Sequence, residues 1–282
     1  WEFCPELKVC CHEPFYIPDE VKEHFKNTFT YRGNLKEEKW QKDYEQYLLT
    51  NKHDGERLSH LLTLNVNDYL PDVYPDFNNG IKISTRAASG KALNNYSLCI
   101  PNLIGGSADV AGSVMTKLDG GIDFDNKHPH GRNINFGIRE FLMASIQNGI
   151  LLHSGLRTYV GSFLVFSDYM KSAIRTSALS NLPAIYLFSH DSIAVGEDGP
   201  THQPIEHLAM LRSIPNLTVI RPCDEKETYG AWHFALKNTT HPVAIILSRQ
   251  NLTVLENSDP NKVDLGAYEV TNVTNPTHLI IA

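Results

Sequence analysis

The segment Ser189–Pro204 (SHDSIAVGEDGPTHQP) carries His190, Asp191, Glu197, Asp198 and His202, punctuated by Gly196, Gly199, Pro200 and Pro204. Titratable side chains on a loop shaped by Gly and Pro suit the reading of a polyhydroxylated substrate and the movement of its protons. A solvated turn with incidental histidines would have the same composition. Arg86, Arg249 and His190 stand at separate loops or element ends. Arg grips phosphate through paired N–H groups, and His adds a switchable donor. Gathered in one place, the three cations form a phosphate clamp to which Ser113 adds a hydroxyl donor; singly, each arginine is an ordinary surface charge. Glu140 falls within the apolar run Phe136–Leu152 (FGIREFLMASIQNGILL). A carboxylate inside an apolar helix is costly to bury unless paired or protonated. It is therefore either exposed and paired with Arg139 or a lysine, or a carboxyl of raised pKa sharing its proton with a ligand nitrogen. Phe163, Phe166 and Tyr169 recur at every third residue of SFLVFSDYM. Such spacing fills cores, and it also makes a stacking platform for a flat heteroaromatic ring.

For these groups to meet, distant segments must end at one edge. From about Ile81 strands and helices alternate. Helices are predicted over Thr85–Tyr96, Phe136–Leu152, Phe163–Leu179 and Glu225–Leu236, the last capped by Asp224. Strands are predicted over Leu98–Ser107, Thr158–Val160, Pro183–Phe188, Leu217–Ile220 and Val243–Leu247. The fold class is α/β, a mainly parallel sheet covered by helices on both faces. Ligands on such sheets sit beyond the carboxyl ends of the strands. The loop from Ser189 follows one strand and Ser248–Asn251 another, which puts both on one edge. Residues 1–75 are polar and read as a helical linker. One helix starts at Ile17–Glu20 with Asp19 as its cap, and Val21 and Phe25 give it a short apolar stripe. An amphipathic helix over Lys36–Leu49 carries Trp40, Tyr44, Tyr47 and Leu48 on one side. Residues 76–258 form the α/β domain. Gly266–Ala282 reads as two strand-like pieces that stop mid-pattern, so 259–282 is expected to begin a further domain.

The 282 residues are 41% apolar, enough for one large core or two modest ones, with a formal net charge of −7. With no lysine-rich run, a nucleic-acid partner is not expected. No apolar stretch approaches the ~18 residues of a membrane span. The chain starts at Trp1 with no signal-like segment, so it is expected to begin inside a longer polypeptide. Five cysteines (Cys4, Cys10, Cys11, Cys99, Cys223) without pattern suit a reducing compartment, the cytoplasm. No metal ligands are assigned. Cys10, Cys11 and His12 lack a second ligand pair, His128 and His130 lack a third ligand, and Asp119, Asp123 and Asp125 miss the calcium-loop spacing.

Six segments resemble, in order, motifs of the transketolases: GGSAD (Gly105–Asp109), GIRE (Gly137–Glu140), SFLVFSDY (Ser162–Tyr169), the loop from Ser189, RPCD (Arg221–Asp224) and LSRQN (Leu247–Asn251). The likeness runs from about Pro14 to Ala282 and implies the pyrimidine-binding domain of a thiamine diphosphate-binding fold. By this resemblance Glu140 contacts N1′ of the cofactor, where it favours the imino tautomer that takes the C2 proton. Phe166 stacks on the pyrimidine with Phe163 and Tyr169 beside it, and Asp109 lies near the cofactor. Arg86, Ser113, His190 and Arg249 hold the sugar phosphate, Asp198 reads a donor hydroxyl and His202 lies on the substrate side. Glu140, His190 and His202 are the implied catalytic residues. The implied reaction moves a two-carbon ketol unit from a ketose phosphate to an aldose phosphate in the pentose phosphate pathway. The implied metal, Mg2+ or Ca2+, is held in the family by a Gly-Asp-Gly motif with a downstream Asn. That motif does not occur here, so its ligands are expected from another domain and this chain alone is expected to be inactive. A homodimer with the site at the subunit interface is also implied. Ala194 stands where the family pattern has Gly. Rivals are dihydroxyacetone synthase, a deoxyxylulose-phosphate synthase, or a non-catalytic fragment or interaction subunit.

Overall fold

The computed structural model describes residues 16–62, 66, 69–71, 73–271 and 273–278. Cys4, Cys10, Cys11 and His12 lie outside them. The chain divides into two compact units after Ser59.

In the first unit, α1 (Asp19–Phe25) runs through a wide turn at Lys26–Thr30 into α2 (Tyr31–Thr50), which is followed by α3 (Lys52–Leu62), the helix within which the division falls. Asp19 is not the cap. Pro18, held extended at φ −54° and ψ 143°, takes that place, and Asp19 is the first helical residue, paired with Lys22 at 3.0 Å. The helix predicted from Lys36 starts five residues earlier, at Tyr31. Of its apolar side, Tyr44 bonds Ser59 Oγ at 2.7 Å and Leu48 packs on Gly55, while Trp40 stays 55% exposed and stacks on Tyr44.

The second unit is built on a six-stranded parallel sheet: β2 (Leu103–Ser107), β3 (Asn133–Asn135), β4 (Arg157–Phe163), β5 (Ile185–Ser189), β6 (Thr218–Ile220) and β7 (Val243–Ile246), in the spatial order β3-β2-β4-β5-β7-β6. A separate antiparallel pair joins β1 (Lys82–Ser84) to β8 (Asn251–Thr253). Side chains alternate across a strand, so unbroken apolar runs serve two cores. Ile185, Leu187, Val243 and Ile245 pack with Leu93 and Tyr96 of α4 (Thr85–Cys99), Val114 of the short α5 (Ala111–Val114) and Trp232 of α9 (Glu225–Lys237). Tyr186, Phe188, Ala244 and Ile246 pack with Met143 of α6 (Glu140–His153), Met170 and Ile174 of α7 (Ser167–Leu179) and Leu211 of α8 (His207–Arg212). The expected α/β class and two-sided cover are thus present. Asp224 caps α9 as expected, accepting from the Glu227 N–H at 3.1 Å.

Several boundaries differ from expectation. The strand predicted from Leu98 starts at Leu103, because α4 continues to Cys99. The strand predicted over Thr158–Val160 extends to Arg157–Phe163. The helix predicted from Phe136 starts at Glu140. Phe136 N–H still bonds Ser107 O, Gly137 is at φ +68° and Arg139 is non-helical at φ −149° and ψ 60°, so no helix can form before Glu140. The helix predicted from Phe163 starts at Ser167, since Phe163 ends β4 and Leu164–Phe166 form a 3-10 turn. Among the described residues of 266–278 there is no strand. Residues 260–265 instead form a 3-10 stretch against α9, whose Gly230 has no room for a Cβ beside Pro260 O.

Gly106 lies where β2 passes β3, and a Cβ there would sit 1.9 Å from Ile134 O. Neither backbone can retreat without losing ladder bonds. Gly106→Ala is expected to cost about 3 kcal/mol or more, read as a lowered Tm. Gly112→Ala, whose Cβ would meet nothing within 4 Å, serves as the control and should leave Tm nearly unchanged. Equal Tm values for the two variants would contradict the close approach.

Candidate active site

The candidate site residues converge at the carboxyl edge of the parallel sheet, where such sheets place their ligands. Five strand ends contribute. After β2 come Ala108, Asp109 and Val110, with Asp109 in the left-handed region at φ +66°, a conformation Asp tolerates better than most residues. After β3 comes the Gly137 turn that delivers Glu140. Phe163 closes β4, His190 follows β5, and Arg249 follows β7. Arg86 lies in the first turn of α4.

A cavity of about 450 Å3 is lined by Ala108, Asp109, Val110, Ile138, Glu140, Phe166 and Tyr169. Four of the five residues expected to hold the cofactor therefore face one space. The fifth, Phe163, sits behind Phe166 in a ladder of rings. Phe163 and Phe166 are 5.9 Å apart and 11° from parallel, and Phe166 and Tyr169 are 6.0 Å apart and 23° from parallel. His202 meets Phe163 and Phe166 edge-on at 5.8 and 5.2 Å. Glu140 corrects one expectation: it does not lie inside the apolar helix but is the partly exposed first residue of α6. The helix N-terminus, with its unpaired N–H groups, backs its carboxylate.

Beside the cavity lies the expected cationic group. Arg86 donates to the Ser113 carbonyl at 2.8 Å, so the structure engages Ser113 through its backbone oxygen; its side chain is exposed. Arg86 Nε is buried with no protein partner. Arg249 lies against Gly196, where a Cβ would come within 3.1 Å of the guanidinium. Burial, then the charge of Arg249, lowers the Arg86 pKa, while Asp198 opposes the shift. His190 departs from the expected role as a cation. It is 3% exposed, stacks face-on to Phe163 at 3.8 Å and contacts Ser189 Oγ through Nδ1 at 2.8 Å. Burial, reinforced by Arg86, pulls its pKa down to about 4, so at neutral pH the ring is uncharged and offers a hydrogen bond only. Ala194 stays out of the left-handed region, so the missing Gly does not strain the loop.

Two groups escaped the sequence reading. Asp191 is buried and ion-paired with Arg221, thirty residues away on another strand end. Asp168, Glu206 and His207 bring ligand-type atoms within 4.8 Å of one another, with His207 Nε2 3.2 Å from Asp168 Oδ2. Both carboxylates of that cluster are exposed, as unliganded acidic groups often are. No sequence spacing announces either group, because each is assembled from separate elements. In the polar loop that carries His128 and His130, His128 pairs with Asp125 at 3.0 Å and meets His130 edge-on.

Residues 81–254 match the family described as transketolase, pyrimidine binding domain. The chain belongs to this family. It is 44% identical over 279 residues to the transketolase of Bacillus subtilis (strain 168), a match covering 96% of this chain and 41% of that protein. Among solved structures, transketolase from Leishmania mexicana superposes with a TM-score of 0.86 at 36% identity, covering 94% of this chain and 39% of that one. Transketolase from Pichia stipitis in complex with sedoheptulose 7-phosphate gives 0.84 at 36% identity, covering 93% and 40%. The chain thus spans about 41% of the Bacillus relative it matches. Among the described residues no helix is long and apolar enough to cross a membrane.

Proposed function

We propose that this chain supplies the pyrimidine-binding half of a transketolase active site, residues 76–258 forming that domain after a helical linker. The assembled enzyme transfers a two-carbon ketol unit from a ketose phosphate to an aldose phosphate, within the pentose phosphate pathway. The observation that carries the proposal is the cavity that joins Glu140 and Asp109 to the Phe166–Tyr169 rings, with a cationic group at its side. The Pichia stipitis neighbour was solved with a sugar phosphate bound, which supports the same ligand class here.

The lining fits the pyrimidine end of thiamine diphosphate, offering aromatic faces for a flat ring and one carboxyl for a ring nitrogen. When bound, that cofactor supplies the electron sink for cleavage of the bond beside the donor carbonyl. Glu140 holds a proton at the ring nitrogen. Phe166 and Tyr169 fix the ring plane, Phe163 supports Phe166 from behind, and Asp109 borders the same space. Arg86 and Arg249 grip the sugar phosphate, and neutral His190 adds a hydrogen bond to it. Asp198 accepts from a donor hydroxyl, and His202, braced on the aromatic ladder, handles a proton on the substrate side. We place the Mg2+ or Ca2+ ligands outside this chain, the site at the interface of a twofold homodimer, and the enzyme in the cytoplasm.

The chain by itself is expected not to turn over xylulose 5-phosphate with thiamine diphosphate and Mg2+, since it holds one end of the cofactor only. Mixed with the part of the Bacillus subtilis relative that lies outside the match, it is expected to give ketol transfer. Full turnover by the chain alone would overturn the division of the site. A folded mixture that binds the cofactor but transfers nothing would overturn the assigned reaction.

A further inference from the structure

The first turn of the loop from Ser189 is held in an unusual way. His190 sits at φ +58°, in the left-handed region that non-glycine residues rarely occupy. That conformation is strained for a side chain with a Cβ and persists only where the surroundings fix it. One side is fixed by the Phe163 ring and by Ser189 Oγ. The other side is fixed by the next residue. The Asp191 side chain is 4% exposed, and its Oδ2 accepts from Arg221 Nε at 2.9 Å and forms an ion pair with Nη2 at 2.9 Å. Arg221 directly follows β6, the edge strand of the sheet, so the loop is tied across the end of β7 to a rigid element.

We infer that the Asp191–Arg221 pair is the positioning element of His190, keeping its ring face-on to Phe163 at the carboxyl edge of the sheet. Both arginine contacts fall on one carboxylate oxygen, and Oδ1 is buried without a partner. Such a pair contributes little net stability, because desolvation offsets its attraction. Separating it would leave a buried, uncompensated carboxylate, and that penalty fixes where the backbone of residue 191 can lie. The adjoining His190 has no freedom left once both its neighbours are held. The role of His190 toward a sugar phosphate rests on the function proposed above; the orientation of its ring does not.

This separation gives the test, made on the chain itself without turnover. Burial, with Arg86, Asp198, Arg249 and His202 as the neighbouring charges, sets the titration of His190, and the adjoining Asp191 faces it as half of the ion pair with Arg221. Removing the Asp191 negative charge would by itself lower the midpoint, so a rise in Asp191→Asn reports movement of the ring out of its buried place. NMR of the labelled imidazole should show a midpoint near pH 4 in the parent chain. In Asp191→Asn and in Arg221→Gln the midpoint is expected to rise by more than about one pH unit toward the ordinary histidine value. Amides of residues 190–198 should exchange about tenfold faster or more, while those of α4 and α9 keep their rates. Arg221→Lys, which preserves the charge, should recover part of the shift. An unchanged His190 midpoint in either folded variant overturns the inference. So does equal loss of protection in α4 and α9, or failure of both variants to fold, since the pair would then be a general support. Failure of the ketol-transfer proposal would move none of these readouts.

Discussion

Glu140→Gln, made in an assembled enzyme containing this chain, is expected to lower kcat by about 10²–10⁴-fold, the usual weight of one positioned proton-transfer group. An amide has nearly the shape of the carboxyl but cannot hold a proton at a ring nitrogen. Glu140 is partly exposed and begins α6, so the exchange disturbs no core packing, and Tm should move by no more than a surface substitution moves it, within about 0.5 kcal/mol. The kinetic loss should appear in kcat with every substrate, phosphorylated or not, because the group serves the cofactor side. An unchanged rate and an unchanged Tm would reduce Glu140 to a surface carboxylate lining a cavity. Unfolding would show that the N-terminus of α6 needs the charge for structure alone.

Arg86→Ala is expected to raise KM for phosphorylated sugars about ten- to a hundredfold, with little change for hydroxypyruvate. A hydrogen bond to a charged group carries about 1.5–3 kcal/mol, which sets that range. Arg86 is oriented by the Ser113 carbonyl through Nη1 and keeps Nε buried and without a protein partner, so a donor is left for a ligand oxygen. The same result is expected of Arg249→Ala, whose guanidinium lies against Gly196 of the substrate loop. Arg86→Lys should recover only part of the loss, since an ammonium cannot reproduce the planar fork. Equal effects on phosphorylated and unphosphorylated substrates would remove both arginines from the clamp.

The layered fold was legible because its signal is local. The apolar runs at Ile185–Ser189 and Val243–Ile246 are buried on both faces, and Asp224 announced α9 by cap chemistry. The loops after β5 and β7 could be placed on one edge by chain order alone. Local signals misled where a single backbone angle decides. The apolar pattern across Phe136–Leu152 is helical in composition, yet Gly137 at φ +68° postpones the helix to Glu140. That changes the place of the carboxylate from the interior of a helix to its start. The neutrality of His190 was not legible, because it comes from burial among distant segments, the β4 ring 3.8 Å away included, reinforced by Arg86. The Asp191–Arg221 pair was hidden for the same reason: its partners come from two strand ends and share no spacing.

The ring ladder has a consequence for how this segment can change over time. Phe163, Phe166 and Tyr169 step from the end of β4 through one 3-10 turn into the first turn of α7. Each residue added or removed there would rotate the rest of the helix by about 120° if it fell in the 3-10 turn, or about 100° if it fell in α7 itself. Tyr169 borders the cavity, and its neighbour Met170 is wholly buried in the core with Ala173 and Ile174. A one-residue deletion would thus carry the core side chain of Met170 toward the cavity and Tyr169 away from it, and an insertion would drive Tyr169 into the core, spoiling site and core together. Exchanges of side chain at Val165 or Lys171 leave that phase intact. The stretch acts as a ruler: drift in its letters is tolerated, but drift in its length is not.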